Sequence, residues 1–424
     1  MRNLAEVVTI EKVWPLEGKD RVQGASFVEN SYEVMVSKDI QPGQLVAFIQ
    51  EGAVLPVKEN WEWLRKRCYK DNLNGKEGFL IKPQKFSGIK SWGLAVPLTD
   101  LGLKEEVYSK FTAGTDITDL LEIFKYEPED DASPTKSDNK KAYPKWVKFC
   151  LAHFLTRWIG HIWQSKHQTT SGGFPTSLIS KSDETTLQNM KGILDKFAET
   201  EVYVSGKMEG QSFTVVPVIK KGKFITAYPC ARNTAYPNEN NTVFWAMMKK
   251  YGIINKMKAL WKKNKTAYII QGEQVGPTIQ DNIYDLNETE WFIFTIKDYN
   301  TGKQLKPADA MRVAYMDFGV QFVPILQSNV KLKDIMPDVE TAIAYAEKAS
   351  WKYDGTVLNL KYKPTEKDVM WKDYFQHEGV VVRSMDYDKD SNVGFSFKIK
   401  NADYAEYGRK KIHKACLDFK ANHL

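Results

Sequence analysis

Over the first hundred residues, apolar positions recur with a period near two, broken by turn residues. Glu6–Val13 reads as a strand. Tyr32–Ser37 alternates, Gln44–Gln50 is mostly apolar, and Pro42-Gly43 supplies the turn between them. Phe79–Ile81 and Leu94–Leu98 are later strands, and Trp61–Tyr69 is more helical and basic. Several short strands with little helix predict a small barrel, for which the OB-fold is the natural candidate. The pattern then stops. Tyr126–Pro144 holds Pro, Ser, Asp, Lys and Asn with almost no aliphatic residue, which is linker chemistry. Trp146, Phe149, His153, Phe154, Trp158, Ile162 and Trp163 then recur near helical spacing, predicting an aromatic amphipathic helix.

From Ser180 onward helix and strand signals alternate. Asp183–Phe197 is expected to be a helix with Asp183 near its cap. Val202–Gly206 and Phe213–Ile219 are expected as strands around a turn. Val243–Lys263 is expected as one amphipathic helix, with Ile253, Met257, Leu260 and Trp261 on its apolar face. Tyr268–Gly272, Trp291–Ile296, Val380–Arg383 and Phe395–Ile399 are further strands. The expected class is α+β: an N-terminal OB-like barrel, then a mainly antiparallel α+β domain. The expected division is an OB-like domain over 1–120, a linker with an inserted helix over 121–175, and a second domain over 176–424.

Composition narrows the classes. The chain has 424 residues, 42% hydrophobic and 27% charged, with a net charge of +7. Those values suit a globular chain and exclude a disordered, collagen-like or rod-like one. The longest apolar stretch, Phe149–Trp163, contains Arg157 and two His, and is too short to span a bilayer. Met1–Ile10 carries Glu6 and no apolar core, so no secretory signal is expected. The four cysteines, Cys68, Cys150, Cys230 and Cys416, are scattered without a CxxC. No zinc knuckle or disulfide framework is expected, and a cytoplasmic, zinc-free monomer is the reading.

Four strings carry candidate chemistry. Val204-Ser205-Gly206-Lys207-Met208-Glu209-Gly210 places a Lys at a strand end, with an acid two residues on. A sheltered Lys that loses its proton is a nucleophile. Ile269–Pro277 ends a strand with Glu273 between glycines. His377-Glu378-Gly379-Val380-Val381-Val382-Arg383 sets a carboxylate at the start of an apolar strand. Phe395–Asn401 carries Lys398 and Lys400 at i and i+2, which aims both amino groups at one face. Such a pair repels unless an anion meets it. Together the strings point to phosphoryl or nucleotidyl transfer. His377 adjoins Glu378 but should point to the opposite side, into packing or solvent. The seven lysines of Lys249–Lys265 form a solvated face or a nucleic-acid patch, and Arg409–Lys414 is a second basic cluster.

The order Lys207-x-Glu209-Gly210, Glu273, Phe292-Ile293-Phe294, Glu378-Gly379, Lys398-x-Lys400-Asn401 resembles the covalent nucleotidyltransferase superfamily. Gly272–Pro277 with Ile279-Gln280-Asp281-Asn282, and the lead-in Lys181-Ser182-Asp183-Glu184 with Gln188-Asn189, resemble its ATP-dependent RNA ligases. The OB-like domain placed first, with Gly88–Leu98 as its exit segment, resembles the class that seals 3′-OH/5′-phosphate nicks. The resemblance implies an ATP-grasp-like ligase domain, ATP and a divalent metal (Mg2+ or Mn2+), and RNA or an RNA-containing nicked duplex as partner. It implies Lys207 as the nucleophile, Glu378 as the metal carboxylate and Glu273 on a ribose hydroxyl. It further implies Arg232 on ribose and substrate phosphate, Phe294 on adenine, Lys398 and Lys400 on phosphates, and Glu209 in the later steps. Three positions depart from the family pattern: Gly206 before the Lys, Thr295 after the stacking Phe, and Glu209 where Asp is commoner. A DNA ligase, a capping guanylyltransferase and a non-catalytic RNA-binding protein on a ligase scaffold are the alternatives.

Overall fold

The computed structural model describes residues 3–126, 172–349, 377–402 and Tyr404, apart from positions 74, 87, 88, 241, 278, 281, 283 and 285. The expected linker, the Trp146–Trp163 helix and the Arg409–Lys414 cluster lie outside the described residues. The N-terminal part holds a five-stranded antiparallel sheet in the spatial order Gly93–Pro97, Leu45–Gln50, Ala5–Pro15, Val22–Phe27, Glu33–Ser37. Four shorter strands form a second sheet, in the order Phe124–Lys125, Ala53–Leu55, Lys76–Leu80, Tyr69–Leu73. Successive side chains of Ala5–Pro15 serve two cores. Val7 packs with Ile49, Trp61 and Phe79, and Val8 with Phe27, Tyr32 and Phe48. This central strand is covered on both faces, so its apolar residues run together. Trp61–Tyr69 is helical only in part: a 3-10 turn, Glu59–Leu64, leads into the short helix Arg65–Cys68.

The second part is built on two sheets. One has seven strands in the order Gly172–Gly173, Thr234–Ala235, Lys223–Cys230, Gln211–Lys220, Tyr268–Val275, Glu290–Asp298, Gln321–Phe322. All its pairings are antiparallel except that of Glu290–Asp298 with Gln321–Phe322. The other has four antiparallel strands in the order Ile325–Lys331, Glu201–Gly206, Gly379–Ser384, Ser396–Lys400. The class is α+β and mainly antiparallel, as the pattern predicted.

Three expectations are corrected. Glu201–Gly206 and Gln211–Lys220 do not pair; they belong to different sheets, and Lys207–Gly210 crosses between them. The single helix expected over Val243–Lys263 is two, Val243–Lys250 and Ile253–Asn264, parted at Gly252, whose φ of +60° ends one helix and starts the other. Asp183–Phe197 is not a helix. Asp183 caps nothing, and a 3-10 turn, Leu187–Asn189, and one turn of helix, Ile193–Lys196, follow it. The chain at 181–186 is drawn out along Ser396–Lys400, where the Lys398 amide donates to the Thr185 carbonyl (2.8 Å). Tertiary pairing overrides the local helical pattern.

The two parts dock through the same lead-in. The Ser31 amide donates to the Gln188 carbonyl (2.9 Å), Gln50 Nε2 to Asn189 Oδ1 (3.3 Å), and Lys191 Nζ to the Phe27 carbonyl (3.0 Å). Ala402 joins the apolar cluster of Val8, Phe48 and Trp92. Among the described residues no helix is long and apolar enough to cross a membrane.

Candidate active site

A cleft of about 1210 Å³ lies between the two sheets of the second part and is closed on one side by the N-terminal part. Lys207, Arg232, Glu273, Phe294, Glu378, Lys398 and Lys400 all line it. Of the sequence-predicted site residues, Glu209 does not line it. Its side chain is buried below, 4% exposed.

Each side chain is placed by a backbone device. Lys207 follows the last residue of Glu201–Gly206, and its amide donates to the Gly379 carbonyl (2.9 Å). That bond sets Lys207 beside Glu378, and the two side chains form an ion pair, each about one-fifth exposed. Gly379 has φ +144°, and a Cβ there would lie 2.1 Å from the Ile399 carbonyl oxygen. Only glycine lets the two strands close so tightly at the site.

Phe294 sits on an irregularity. Gln271 pairs with Thr295 and Gly272 with Ile293, so Phe294 is the extra residue of a β-bulge. The bulge frees its carbonyl, which accepts from Arg383 Nη1 (3.2 Å). It also turns the ring to the cleft, with the Arg383 guanidinium 5.6 Å from the ring centroid. Gly272, opposite, has no room for a side chain: Trp291 Nε1 would be 2.3 Å from its Cβ.

Arg383 is buried and pairs with Glu184 (2.8 Å), also buried. Burial pushes the Glu184 carboxyl up, but the charge and hydrogen bonds of Arg383 outweigh it and hold it below the usual range. Arg232 pairs with half-exposed Asp183 (2.5 Å). Partial burial raises the Asp183 carboxyl, and Arg232, Lys398 and Lys125 together pull it below the ordinary value. Lys389 Nζ pins the lead-in by donating to the carbonyls of Lys181 and Asp183 (both 2.7 Å). Under the site, the Glu209 amide donates to the buried Tyr284 hydroxyl (2.7 Å). Burial raises the Tyr284 phenol well above its ordinary value; the Glu209 amide opposes this, while the charges of Glu209, Glu378 and Glu273 add to it. His377 is buried and stacks beside Tyr284. Lys398 and Lys400 both reach the cleft from one face of their strand, and Lys400 pairs with Glu51 of the N-terminal part.

Sequence reasoning quoted Asp183, Glu184 and Arg383 within its strings but gave them no task. Their signal is the pairing of opposite charges far apart in the chain, 199 positions for Glu184 with Arg383 and 49 for Asp183 with Arg232, visible only once folded. Glu51 and Tyr284 had no signal. Among the described residues no group of three His, Cys, Asp or Glu is set to hold a metal by itself.

A cleft with one strand-end Lys on a carboxylate, an aromatic ring on a bulge and two Lys on one strand is equipped to hold a nucleotide and attack its phosphorus. That defines a nucleotidyltransferase of the covalent type. The family comparison specifies it further. The model described as RNA ligase matches residues 200–400, and that of an OB-fold domain matches residues 4–98. Residues 200–400 belong to the RNA ligase family, and the chain is an enzyme with an OB-fold domain ahead of that domain. No curated protein matches. Among solved structures, a Naegleria gruberi RNA ligase mutant with AMP and Mn has a TM-score of 0.70 at 20% identity, covering 96% of this chain and 99% of that one. A second mutant of that protein, with ATP and Mn, gives 0.69 at 20% identity, covering 96% and 99%. The Naegleria gruberi RNA ligase with PPi gives 0.68 at 20% identity, covering 95% and 98%. These likenesses show a shared fold over nearly the whole chain.

Proposed function

We propose that this protein is an ATP-dependent RNA ligase that joins 3′-OH and 5′-phosphate ends at nicks in duplexes, through a lysyl-AMP and an adenylylated 5′ end. The observation that carries the reading is the convergence on one cleft of motif residues spread from Lys207 to Lys400. ATP or AMP with Mn in the Naegleria structures supports the choice of nucleotide and metal.

Lys207 Nζ bonds to the α-phosphorus, and the bond to pyrophosphate breaks. An ammonium has no lone pair, so the ion pair with Glu378 must open and Nζ must first pass a proton to water. Lys398 and Lys400 set positive charge against the phosphate oxygens. Phe294 stacks on adenine, Glu273 accepts from a ribose hydroxyl, and Arg232 meets ribose and substrate phosphate. The RNA 5′-phosphate oxygen then attacks the same phosphorus and Lys207 leaves. Finally the 3′-OH attacks the 5′-phosphorus and AMP leaves; Glu209, which lies beneath the cleft and does not line it, would serve these later steps only through the residues above it. Mg2+ and Mn2+ need few protein donors when phosphates and water complete the shell, and the single carboxylate of Glu378 fits that demand. A cation there supplies neutralisation of phosphate charge.

The working division keeps an OB-like unit, a connecting segment and an adenylyltransferase unit, but the expected boundaries at 120 and 176 shift, because Phe124–Lys125 pairs with Ala53–Leu55 in the first unit and Gly172–Gly173 with Thr234–Ala235 in the last. A cytoplasmic monomer remains the reading; Cys68 and Cys230 are buried free thiols, and burial pushes Cys230 up to about 12, which fits reduced, unreactive cysteines of a cytoplasmic protein.

The test is a set of four nicked duplexes, each end RNA or DNA, at fixed salt. Sealing should be efficient when the 3′-OH end is RNA, because the 2′-OH and A-form shape are read there. The 5′-phosphate end is met through phosphate contacts that carry little sugar information. An all-DNA nick should accumulate adenylylated 5′ ends. Equal rates on all four contradict the RNA-end reading, and sealing confined to all-DNA nicks makes the protein a DNA ligase.

A further inference from the structure

Four cations of the cleft are each held by a carboxylate: Lys207 by Glu378, Arg232 by Asp183, Arg383 by Glu184 and Lys400 by Glu51. Three of these carboxylates come from the ligase half. Glu51 comes from the OB-fold domain, 349 positions from its partner.

Glu51 is held firmly. It directly follows the strand Leu45–Gln50, and its side chain is 7% exposed. The residues on either side are both tied. Gln50 donates to Asn189 across the domain boundary, the Gly52 amide donates to the Ile81 carbonyl (2.9 Å), and the Gly52 carbonyl accepts from Tyr126 (3.0 Å). Lys400 stands at the end of its strand, in register with Gly379 and one position from the Glu378 backbone that Asn401 holds (3.0 Å). The Glu51–Lys400 and Glu378–Lys207 pairs therefore lie side by side at the cleft.

We propose that Glu51 is a positioning residue for nucleotidyl transfer, fixing the Lys400 ammonium so that its remaining N–H groups face the phosphates. The proposal rests on the ligase reading above. A lysine ammonium has three donors, so one given to Glu51 leaves two for phosphate oxygens. The four-carbon stem is flexible, and a stem left free must be ordered anew in each transition state. Glu51 also offsets the repulsion between Lys398 and Lys400, which share a face. On this view the OB-fold domain takes part in the chemistry as well as in holding RNA.

The test uses the full chain. Single-turnover formation of lysyl-AMP is measured against ATP concentration for the wild type, Glu51→Gln and Glu51→Asp, with thermal midpoints for each. Positioning predicts that Glu51→Gln, which keeps shape and loses charge, lowers the maximal rate about tenfold, the low end of the loss when an outer partner that orients a contacting group is removed. The ATP concentration at half-maximal rate should stay within about twofold, since the lost interaction belongs to the transition state. Glu51→Asp should recover much of the rate. A Glu51→Gln rate equal to the wild type overturns the proposal, and so does an effect confined to the half-maximal ATP concentration. A Glu51→Gln chain that melts far below the wild type, or a Glu51→Asp chain equally slow, makes the contact structural and overturns it too. A wild type that takes no label from ATP instead brings down the ligase reading itself.

Discussion

Glu184 shows how a residue outside the chemistry can hold the chemistry in place. It keeps Arg383 charged and oriented, and Arg383 in turn holds the Phe294 carbonyl and flanks its ring. The folded Glu184 carboxyl titrates below its unfolded value. The unfolded chain therefore takes up the proton first as pH falls. The stability this group adds is complete above the ordinary carboxylate range and drains away as pH drops through the folded value. Glu184→Gln should cost about 3–5 kcal/mol at neutral pH, because it leaves a buried guanidinium without its charge partner. It should also flatten the acid limb of the stability curve. Denaturant melts of both chains from pH 7 down to about 3 check this, and an unchanged acid limb contradicts it. At this scale the sequence was a good guide to residues that line the cleft. Lys207, Glu273, Glu378, Lys398 and Lys400 stand in short strings whose spacing is itself chemical. It was a poor guide to their supports, because Glu184 and Arg383, or Glu51 and Lys400, become partners only through folding.

At the scale of elements, two local departures from regular structure build the site. The bulge at Phe294 aims a ring, and the Gly379 contact holds the start of the Lys207 crossing against the neighbouring strand of the same sheet. Gly379→Ala should destabilise by about 2–4 kcal/mol, combining a strained φ with a clash against the Ile399 carbonyl. It should also slow lysyl-AMP formation beyond what the stability loss explains, since the Lys207 amide bonds to that residue. Denaturant titration beside a single-turnover assay separates the two effects. Wild-type behaviour in both contradicts the account. Strand positions were legible as short apolar runs bounded by turn residues, because most of these strands are buried on both faces and only a few, such as Glu33–Ser37 and Ser396–Lys400, alternate. Asp183–Phe197 was not, because its helical spacing loses to pairing with Ser396–Lys400. The sequence also could not reveal that Lys207–Gly210 passes between sheets, since a short crossing and a hairpin turn use the same residue types.

At the scale of the molecule, the order of domains was legible, and their mutual geometry was not. A barrel pattern, a polar linker and a ligase string are all linear features. The docking of Gln50, Ser31 and Phe27 on Gln188–Lys191 is not. Charge is distributed less simply than the run Lys249–Lys265 suggests. Lys249 pairs with Glu239, Lys250 with Glu288 and Glu290, and Lys256 donates to the Phe318 carbonyl. Part of that run is spent on the fold, while the cleft takes its paired cations from the second part and adds Lys82 and Lys125 from the N-terminal part. The central claim is that this cleft forms a covalent adenylate on Lys207. It is tested most directly by incubating the folded chain with α-labelled ATP and Mg2+ or Mn2+, then denaturing it and following the label. The account predicts label on the wild-type chain, acid-labile as a phosphoramidate is, and none on Lys207→Ala. Label retained by Lys207→Ala, or absent from a folded wild type with either metal, would contradict it.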